Sequence, residues 1–190
     1  MAQLVLASGS AYRKALLERL GLPFVVFSPN VDEAPLAGEM PSQTALRLSL
    51  QKAQAAADRG ALIIGCDQVA SCGVRRYGKP GSHQNAARQL RELSGKTVVF
   101  DTAVTLLDSR KGRHESRLVP CRVTFRDLDE RRIEAYLKKE RPYDCAGAAK
   151  AEGLGIALIS RIETDDPTSL IGLPLISLSQ MLERAGVKLL

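Results

Sequence analysis

Leu4-Val5-Leu6-Ala7-Ser8-Gly9-Ser10-Ala11-Tyr12-Arg13-Lys14-Ala15-Leu16-Leu17-Glu18-Arg19-Leu20-Gly21 carries the decisive pattern of this chain. Leu4 to Ala7 is an uninterrupted apolar run, as expected of a strand buried on both faces. Ser10 is a natural helix N-cap. Leu16, Leu17 and Leu20 then keep helical spacing until Gly21 stops the helix. Strand, serine-glycine-serine turn and helix together open an α/β unit.

The same alternation continues down the chain. A strand is predicted over 24–27, a proline-rich loop over 29–41 and a long helix over 42–58. The core face of that helix reads Leu46, Leu50, Ala53 and Ala57. Its flank reads Ala45, Leu48, Lys52 and Ala56, which puts a lysine inside a second apolar stripe. A short apolar strand over 61–64 runs into Gly65-Cys66-Asp67-Gln68. A helix follows over 85–93, strands over 97–107 and 118–125, and a helix over 129–139 with Ile133, Tyr136 and Leu137 inward. A glycine-punctuated stretch (Gly147, Gly153, Gly155), a strand near 156–159 and a helix over 175–185 close the chain. The prediction is an α/β fold with a mixed sheet and flanking helices.

At 190 residues this suits one compact domain, or two lobes around one cleft. The chain is treated as one domain spanning 1–190. The net charge of +6 favours a polyanionic partner. Four Tyr, four Phe and no Trp leave few stacking platforms for single-stranded nucleic acid. No apolar run approaches the roughly 18 residues of a membrane span, and no signal peptide is visible, so the expected setting is the cytoplasm. Cys66, Cys72, Cys121 and Cys145 form no C-x-x-C pair, and only His83 and His114 accompany them. The thiols are read as reduced packing residues and no zinc site is expected. Both histidines lie in polar, turn-like sequence, so no nucleophile–base pair is expected around them.

Three features carry chemistry. Ser8-Gly9-Ser10 with Arg13 sets backbone N–H groups, hydroxyls and a guanidinium at a helix N-terminus, a place that accepts phosphate. Alone, the simpler reading is a capped turn with a solvated arginine. Asp67 follows an apolar strand, and ligand sites in α/β sheets gather at strand carboxyl ends. It is a candidate general base or metal ligand, or else a turn aspartate. Lys52 and Lys79 are candidate phosphate cations, against a snorkelling lysine and a surface turn. Glu33 offers a second carboxylate.

Gly73-Val74-Arg75-Arg76-Tyr77-Gly78-Lys79-Pro80 imitates a P-loop, but Pro80 has neither hydroxyl nor N–H, so a P-loop NTPase is rejected. Asp166-Pro167 reads as an N-cap with proline at N1. The alternating charges over 129–140 read as a solvated helix face. Cations around a carboxylate suit a hard divalent metal bridging to a polyphosphate, which points to a nucleotide or phosphate-ester hydrolase.

At these residues the chain resembles the Maf family of nucleoside triphosphate pyrophosphatases. The resemblance runs through Leu6-Ala7-Ser8-Gly9-Ser10 with Arg13, Val31-Asp32-Glu33, Lys52-Ala53, Gly65-Cys66-Asp67-Gln68-Val69 and Gly78-Lys79-Pro80. It continues through Ser94-Gly95-Lys96, Cys145-Ala146-Gly147, Glu152-Gly153-Leu154-Gly155 and Ile171-Gly172-Leu173-Pro174-Leu175. It implies a two-lobed α/β fold with a deep cleft, similar to inosine triphosphatase, and cleavage between the α- and β-phosphates. On that resemblance Asp67 is the general base. Ser8, Ser10, Arg13, Lys52 and Lys79 hold phosphates, and Glu33 and Asp67 hold a divalent cation (magnesium, manganese or cobalt).

The branch acting on 7-methyl-GTP fits better than the dTTP/UTP branch, through Tyr12, Gln68 and Glu152. A cationic methylated base suits an aromatic ring and a nearby carboxylate. Ala11 departs from the proline common in the family, and Tyr12 from the tryptophan common in this branch. The expected partner is a small nucleotide, not nucleic acid or a membrane, and a homodimer is the assembly to test. The alternatives are the same chemistry on dTTP, UTP or another modified nucleotide, and a non-catalytic nucleic-acid-binding or septum-formation regulator.

Overall fold

The computed structural model describes residues 3–190. The described strands form a mixed sheet in the order β2-β1-β3-β5-β6-β7, with β4 paired to β3. These are β1 (Leu4–Ala7), β2 (Val25–Phe27), β3 (Leu62–Cys72), β4 (Arg75–Tyr77), β5 (Thr97–Asp108), β6 (Arg113–Phe125) and β7 (Ile159–Glu163). The helices are α1 (Ala11–Glu18), α2 (Pro41–Gln54), α3 (His83–Leu93), α4 (Glu130–Glu140) and α5 (Leu175–Arg184). The expected α/β class and mixed sheet are both present.

The chain divides into two compact units. The first holds the residues through Gln68, Asp101–Val119 and Asp166–Leu190. In it β1 runs parallel to both β2 and β3, with Val5 opposite Val25 and Ile63. The strand period of two splits β1 and β3 between two apolar layers. Leu4, Leu6, Leu62, Ile64 and Cys66 pack with Leu16 and Leu17 of α1 and Leu178, Met181 and Leu182 of α5. Val5, Ala7 and Ile63 pack with Ala53 of α2. Both faces are covered, which is why these strands read as continuous apolar runs.

The second unit holds Val69–Phe100 and Pro120–Asp165. Here β3 turns back into β4, pairing Ala70 with Tyr77, and β6 pairs antiparallel with β7 across an irregularity at Thr124/Phe125. Ala86, Ala87, Leu90 and Leu93 of α3 and Ile133, Tyr136 and Leu137 of α4 are buried. The P-loop look-alike is this hairpin: Gly73 makes the turn at φ 59° and Arg75 to Tyr77 form β4.

Several expectations are corrected. The strand predicted to stop near Ile64 continues to Cys72: its β1 partners end at Gly65, its β4 partners run from Ala70 to Cys72, and β5 is its other neighbour in the sheet. Helix α2 is rotated from the predicted face. Ala45, Leu48, Lys52 and Ala53 are buried with Thr44 and Ser49, whereas Leu46, Leu50 and Ala57 are only half-buried. It ends at Gln54, and Ala57–Arg59 is a separate 3₁₀ turn closed by Gly60 at φ 60°. Leu154–Leu158 is a 3₁₀ turn, and the strand begins only at Ile159. His83 lies not in a turn but at the start of α3, with Nε2 3.1 Å from Glu134 and Nδ1 3.0 Å from the Tyr143 hydroxyl. His114 is exposed on β6.

The loop before α2 is anchored by Glu39. Its carboxylate accepts from Arg47 Nε at 2.7 Å and Nη2 at 2.8 Å, from the Thr44 hydroxyl at 2.8 Å and from the Leu36 N–H at 3.0 Å. The Arg47 hydrogen bonds hold the Glu39 carboxyl down to about 2. A depressed carboxyl stabilises the fold above its unfolded value of 4.5, and that contribution is lost as the pH falls through about 2. Glu39→Gln is therefore expected to lower the Tm at pH 7, with the gap from wild type closing as the pH approaches 2. A constant gap over that range in a pH series of melts would contradict this.

Candidate active site

The turn after β1 is built around Ser8. The Ser10 N–H donates to Ser8 Oγ at 3.2 Å, and Arg13 Nη1 donates to the same oxygen at 3.3 Å. Ser10 caps α1, its Oγ accepting the Arg13 N–H at 3.4 Å. A Cβ on Gly9 would lie 2.8 Å from Ser28 Oγ, so a larger residue here would require the Ser28 hydroxyl to turn away. Arg13 Nε donates to the Gly172 carbonyl at 2.9 Å. The guanidinium is thus held in place beside a buried serine, not solvated as the simpler sequence reading had it. Tyr12 is half-buried on the first turn of α1.

A second cluster joins β3 to α2. A Cβ on Gly65 would meet the Ala53 nitrogen at 2.7 Å and collide with the Ser49 carbonyl, so β3 and α2 touch backbone to backbone. That approach brings Lys52 Nζ to 2.6 Å from Asp67 Oδ1, and Glu33 Oε1 lies 2.6 Å from the same nitrogen. Lys52 and Asp67 are each 6 % exposed, whereas the Glu33 side chain is 63 % exposed. Lys52 therefore does not snorkel; its charge stays inside, held by two carboxylates. Burial pushes the Asp67 carboxyl above the ordinary aspartate range, against the pull of Lys52 and Arg13, and Glu33 adds a smaller upward push. A carboxylate so biased suits proton transfer. Asp67 is not at the end of its strand, as predicted, but just past the last β1 partner, Gly65.

Gln68 is half-buried, and its Nε2 donates to Thr102 Oγ1 and the Ser169 carbonyl at 2.9 Å each and to the Leu170 carbonyl at 3.2 Å. The four cysteines are free. Burial pushes the Cys66 and Cys121 thiols up to about 11, consistent with packing.

The first unit thus brings Ser8, Ser10 and Arg13 into one cluster and Glu33, Lys52 and Asp67 into another. Lys79 and Glu152 belong to the second unit. Lys79 is exposed in the loop between β4 and α3. Glu152 is exposed in a turn fixed by Glu140, which pairs with Lys150 Nζ at 2.8 Å and accepts the Leu154 N–H at 2.7 Å. Sequence reasoning gave no role to the Gly172 carbonyl, Cys66 or Thr102. Only the Ile171-Gly172-Leu173-Pro174-Leu175 motif marked that region, and a backbone carbonyl leaves no trace in a sequence.

A family model described as Maf-like protein matches residues 3–185. The chain belongs to the Maf family. This Maf-like protein is 59% identical to a 7-methyl-GTP pyrophosphatase of Thiobacillus denitrificans, over 98% of this chain and 94% of the relative. It is 57% identical to a protein of that name from Cupriavidus pinatubonensis, over 97% and 94%. A third, from Methylobacillus flagellatus, is 53% identical over 98% of both chains.

Glu33 and Asp67 supply carboxylate oxygens of the kind a hard divalent cation takes, and both bind the Lys52 ammonium. Among the described residues no group of three or more His, Cys, Asp or Glu side chains could hold a metal by itself. A magnesium-like ion commonly takes one or two protein carboxylates and completes its shell with substrate phosphates and water. No described helix is long and apolar enough to cross a membrane.

Proposed function

We propose that this Maf-like protein hydrolyses the α–β phosphoanhydride of a nucleoside triphosphate, with 7-methyl-GTP the leading substrate, giving a nucleoside monophosphate and pyrophosphate. The observation that carries the reading is the buried Asp67 carboxylate bound to Lys52, in the same unit as the Ser8, Ser10 and Arg13 clamp. Relatives named 7-methyl-GTP pyrophosphatase support the substrate.

In this mechanism Ser8, Ser10, Arg13 and Lys52 bind phosphate oxygens, and Lys79 does so by the family resemblance. Asp67 accepts the proton of a water whose oxygen bonds to the α-phosphorus as the bond to the bridging oxygen breaks. Pyrophosphate leaves on that oxygen. Glu33 and Asp67 are the residues that would hold magnesium, manganese or cobalt, which when bound neutralises phosphate charge and acidifies water. Tyr12, Gln68 and Glu152 are the family-derived candidates for reading the base. A nucleotide substrate supports a cytoplasmic setting for this activity.

The deciding assay is pyrophosphate release with magnesium, manganese or cobalt across 7-methyl-GTP, GTP, dTTP, UTP and CTP. Preference for 7-methyl-GTP supports the full reading. Preference for dTTP or UTP keeps the reaction and overturns the base assignment, and silence on all five overturns the enzyme. Glu152→Gln removes the negative charge at a position that the family resemblance assigns to base reading and is expected to lower selectivity for 7-methyl-GTP over GTP about tenfold or more, the size of one charge-assisted hydrogen bond. Unchanged ranking would remove Glu152 as the discriminator.

A further inference from the structure

Asp101 is a carboxylate that the proposed mechanism leaves unused. It is half-buried on β5, yet among the described residues its side chain makes no hydrogen bond and no ion pair. Burial alone pushes its carboxyl above the ordinary aspartate range. A desolvated carboxylate without a partner costs stability, and a native chain that keeps one calls for a reason.

Contacts along β5 fix which way Asp101 faces, since a strand sends alternate side chains to opposite sides. Thr105 Oγ1 lies 2.8 Å from the Ser49 hydroxyl of α2, and Leu107 packs in the layer of Val5, Ala7 and Ile63 with Ala53 of α2. Thr102 points the other way, to Gln68, and Val104 and Leu106 pack in the layer of α1 and α5. Asp101 therefore shares the α2 side of the sheet with Ala103 and Thr105. Asp67, bonded to Lys52 of α2, lies on that side too.

The neighbouring strand β3 sets how far apart the two carboxylates are. The Ser109 N–H donates to the Ala61 carbonyl at 3.0 Å, and Gln68 Nε2 donates to Thr102 Oγ1 at 2.9 Å. The strands thus run antiparallel, with Asp67 across from Ala103 and Asp101 diagonal to Asp67. Diagonal same-face neighbours are about 7–8 Å apart. In the sheet order β1, β3, β5, the turn of Ser8, Ser10 and Arg13 follows β1, Asp67 lies on β3 and Asp101 on β5. A triphosphate with its α-phosphorus at Asp67 and its departing pyrophosphate in that turn extends its nucleoside the other way, toward β5. A carboxylate there repels phosphate and accepts readily from hydroxyl groups.

We infer that Asp101 accepts a hydrogen bond from a sugar hydroxyl of the bound nucleotide. This inference rests on the roles proposed for Asp67 and for the clamp of Ser8, Ser10 and Arg13.

The test titrates 7-methyl-GMP, its 2′,3′-dideoxy analogue and pyrophosphate calorimetrically into the full chain. Neither monophosphate has an anhydride bond to cleave. Asp101→Ala is expected to weaken 7-methyl-GMP about tenfold, the range for a hydrogen bond to a charged group, and to leave the dideoxy analogue and pyrophosphate unchanged. Asp101→Asn, which keeps one acceptor oxygen, is expected to fall between the two. It is also expected to melt no lower than wild type, because it removes an unpaired charge.

Equal weakening of both monophosphates assigns the carboxylate to the charge of the base and overturns the sugar contact. Unchanged affinity for all three ligands, or a lower Tm in Asp101→Asn, overturns it as well. If Asp101→Ala does not fold, Asp101→Asn decides with the same ligands. If wild type cleaves no nucleotide but its 7-methyl-GMP affinity depends on Asp101 and on the sugar hydroxyls, the pyrophosphatase reading fails and the sugar contact stands. If wild type hydrolyses 7-methyl-GTP and Asp101→Ala binds both monophosphates as wild type does, the reverse holds. If wild type binds no 7-methyl-GMP, the sugar contact falls.

Discussion

Asp67→Asn is expected to lower kcat by about 10²- to 10⁴-fold, the range that one positioned acid–base group contributes. The amide keeps the shape of the side chain and still offers an oxygen to Lys52 Nζ, so the fold survives while the proton acceptor is lost. Burial already biases this carboxyl toward its neutral form, and only Lys52 and Arg13 hold it ionised. The loss should therefore fall on kcat for every nucleotide alike. Steady-state kinetics beside a thermal melt of the same preparation checks both halves, and near-wild-type turnover in a folded Asp67→Asn would remove the mechanism.

Lys52→Met is expected to destabilise the fold by about 3–5 kcal/mol, because it strands a buried carboxylate without its hydrogen-bonded counter-charge. Lys52 and Asp67 are each 6 % exposed, so water cannot make up the loss. Glu33, at 63 % side-chain exposure, can solvate itself and adds little to the penalty. Adding Asp67→Leu to Lys52→Met replaces the ion pair with apolar groups, and most of the stability should return although activity does not. Urea denaturation midpoints of wild type, single and double variants form the cycle. A single variant within about 1 kcal/mol of wild type, the range of an exposed pair, would show that the charges are not buried.

The parts of this site legible in sequence are those made by neighbours along the chain. Ser8, Ser10 and Arg13 lie within one turn of α1, so cap chemistry and helical spacing place them together. The strand, turn and helix around them were equally readable. The face of α2 was not. Leu46 and Leu50 are more apolar than Ser49 and Lys52, so composition favours the wrong stripe, and contact with β3 at Gly65 decides instead. The pairing of Lys52 with Asp67 depends on that contact. The Arg13–Gly172 bond spans nearly the whole chain and ends on a carbonyl common to all residues, so no pattern announces it. Burial likewise hides from sequence, and with it the direction of the Asp67 shift.

The first unit is assembled from three separate stretches of chain and the second from two. Leu4 and Leu6 share one apolar layer with Leu178, Met181 and Leu182. A ribosome therefore releases β1 long before it has made the helix that covers it. The layer around β1 therefore closes only through contacts of long sequence separation, the kind that slow folding.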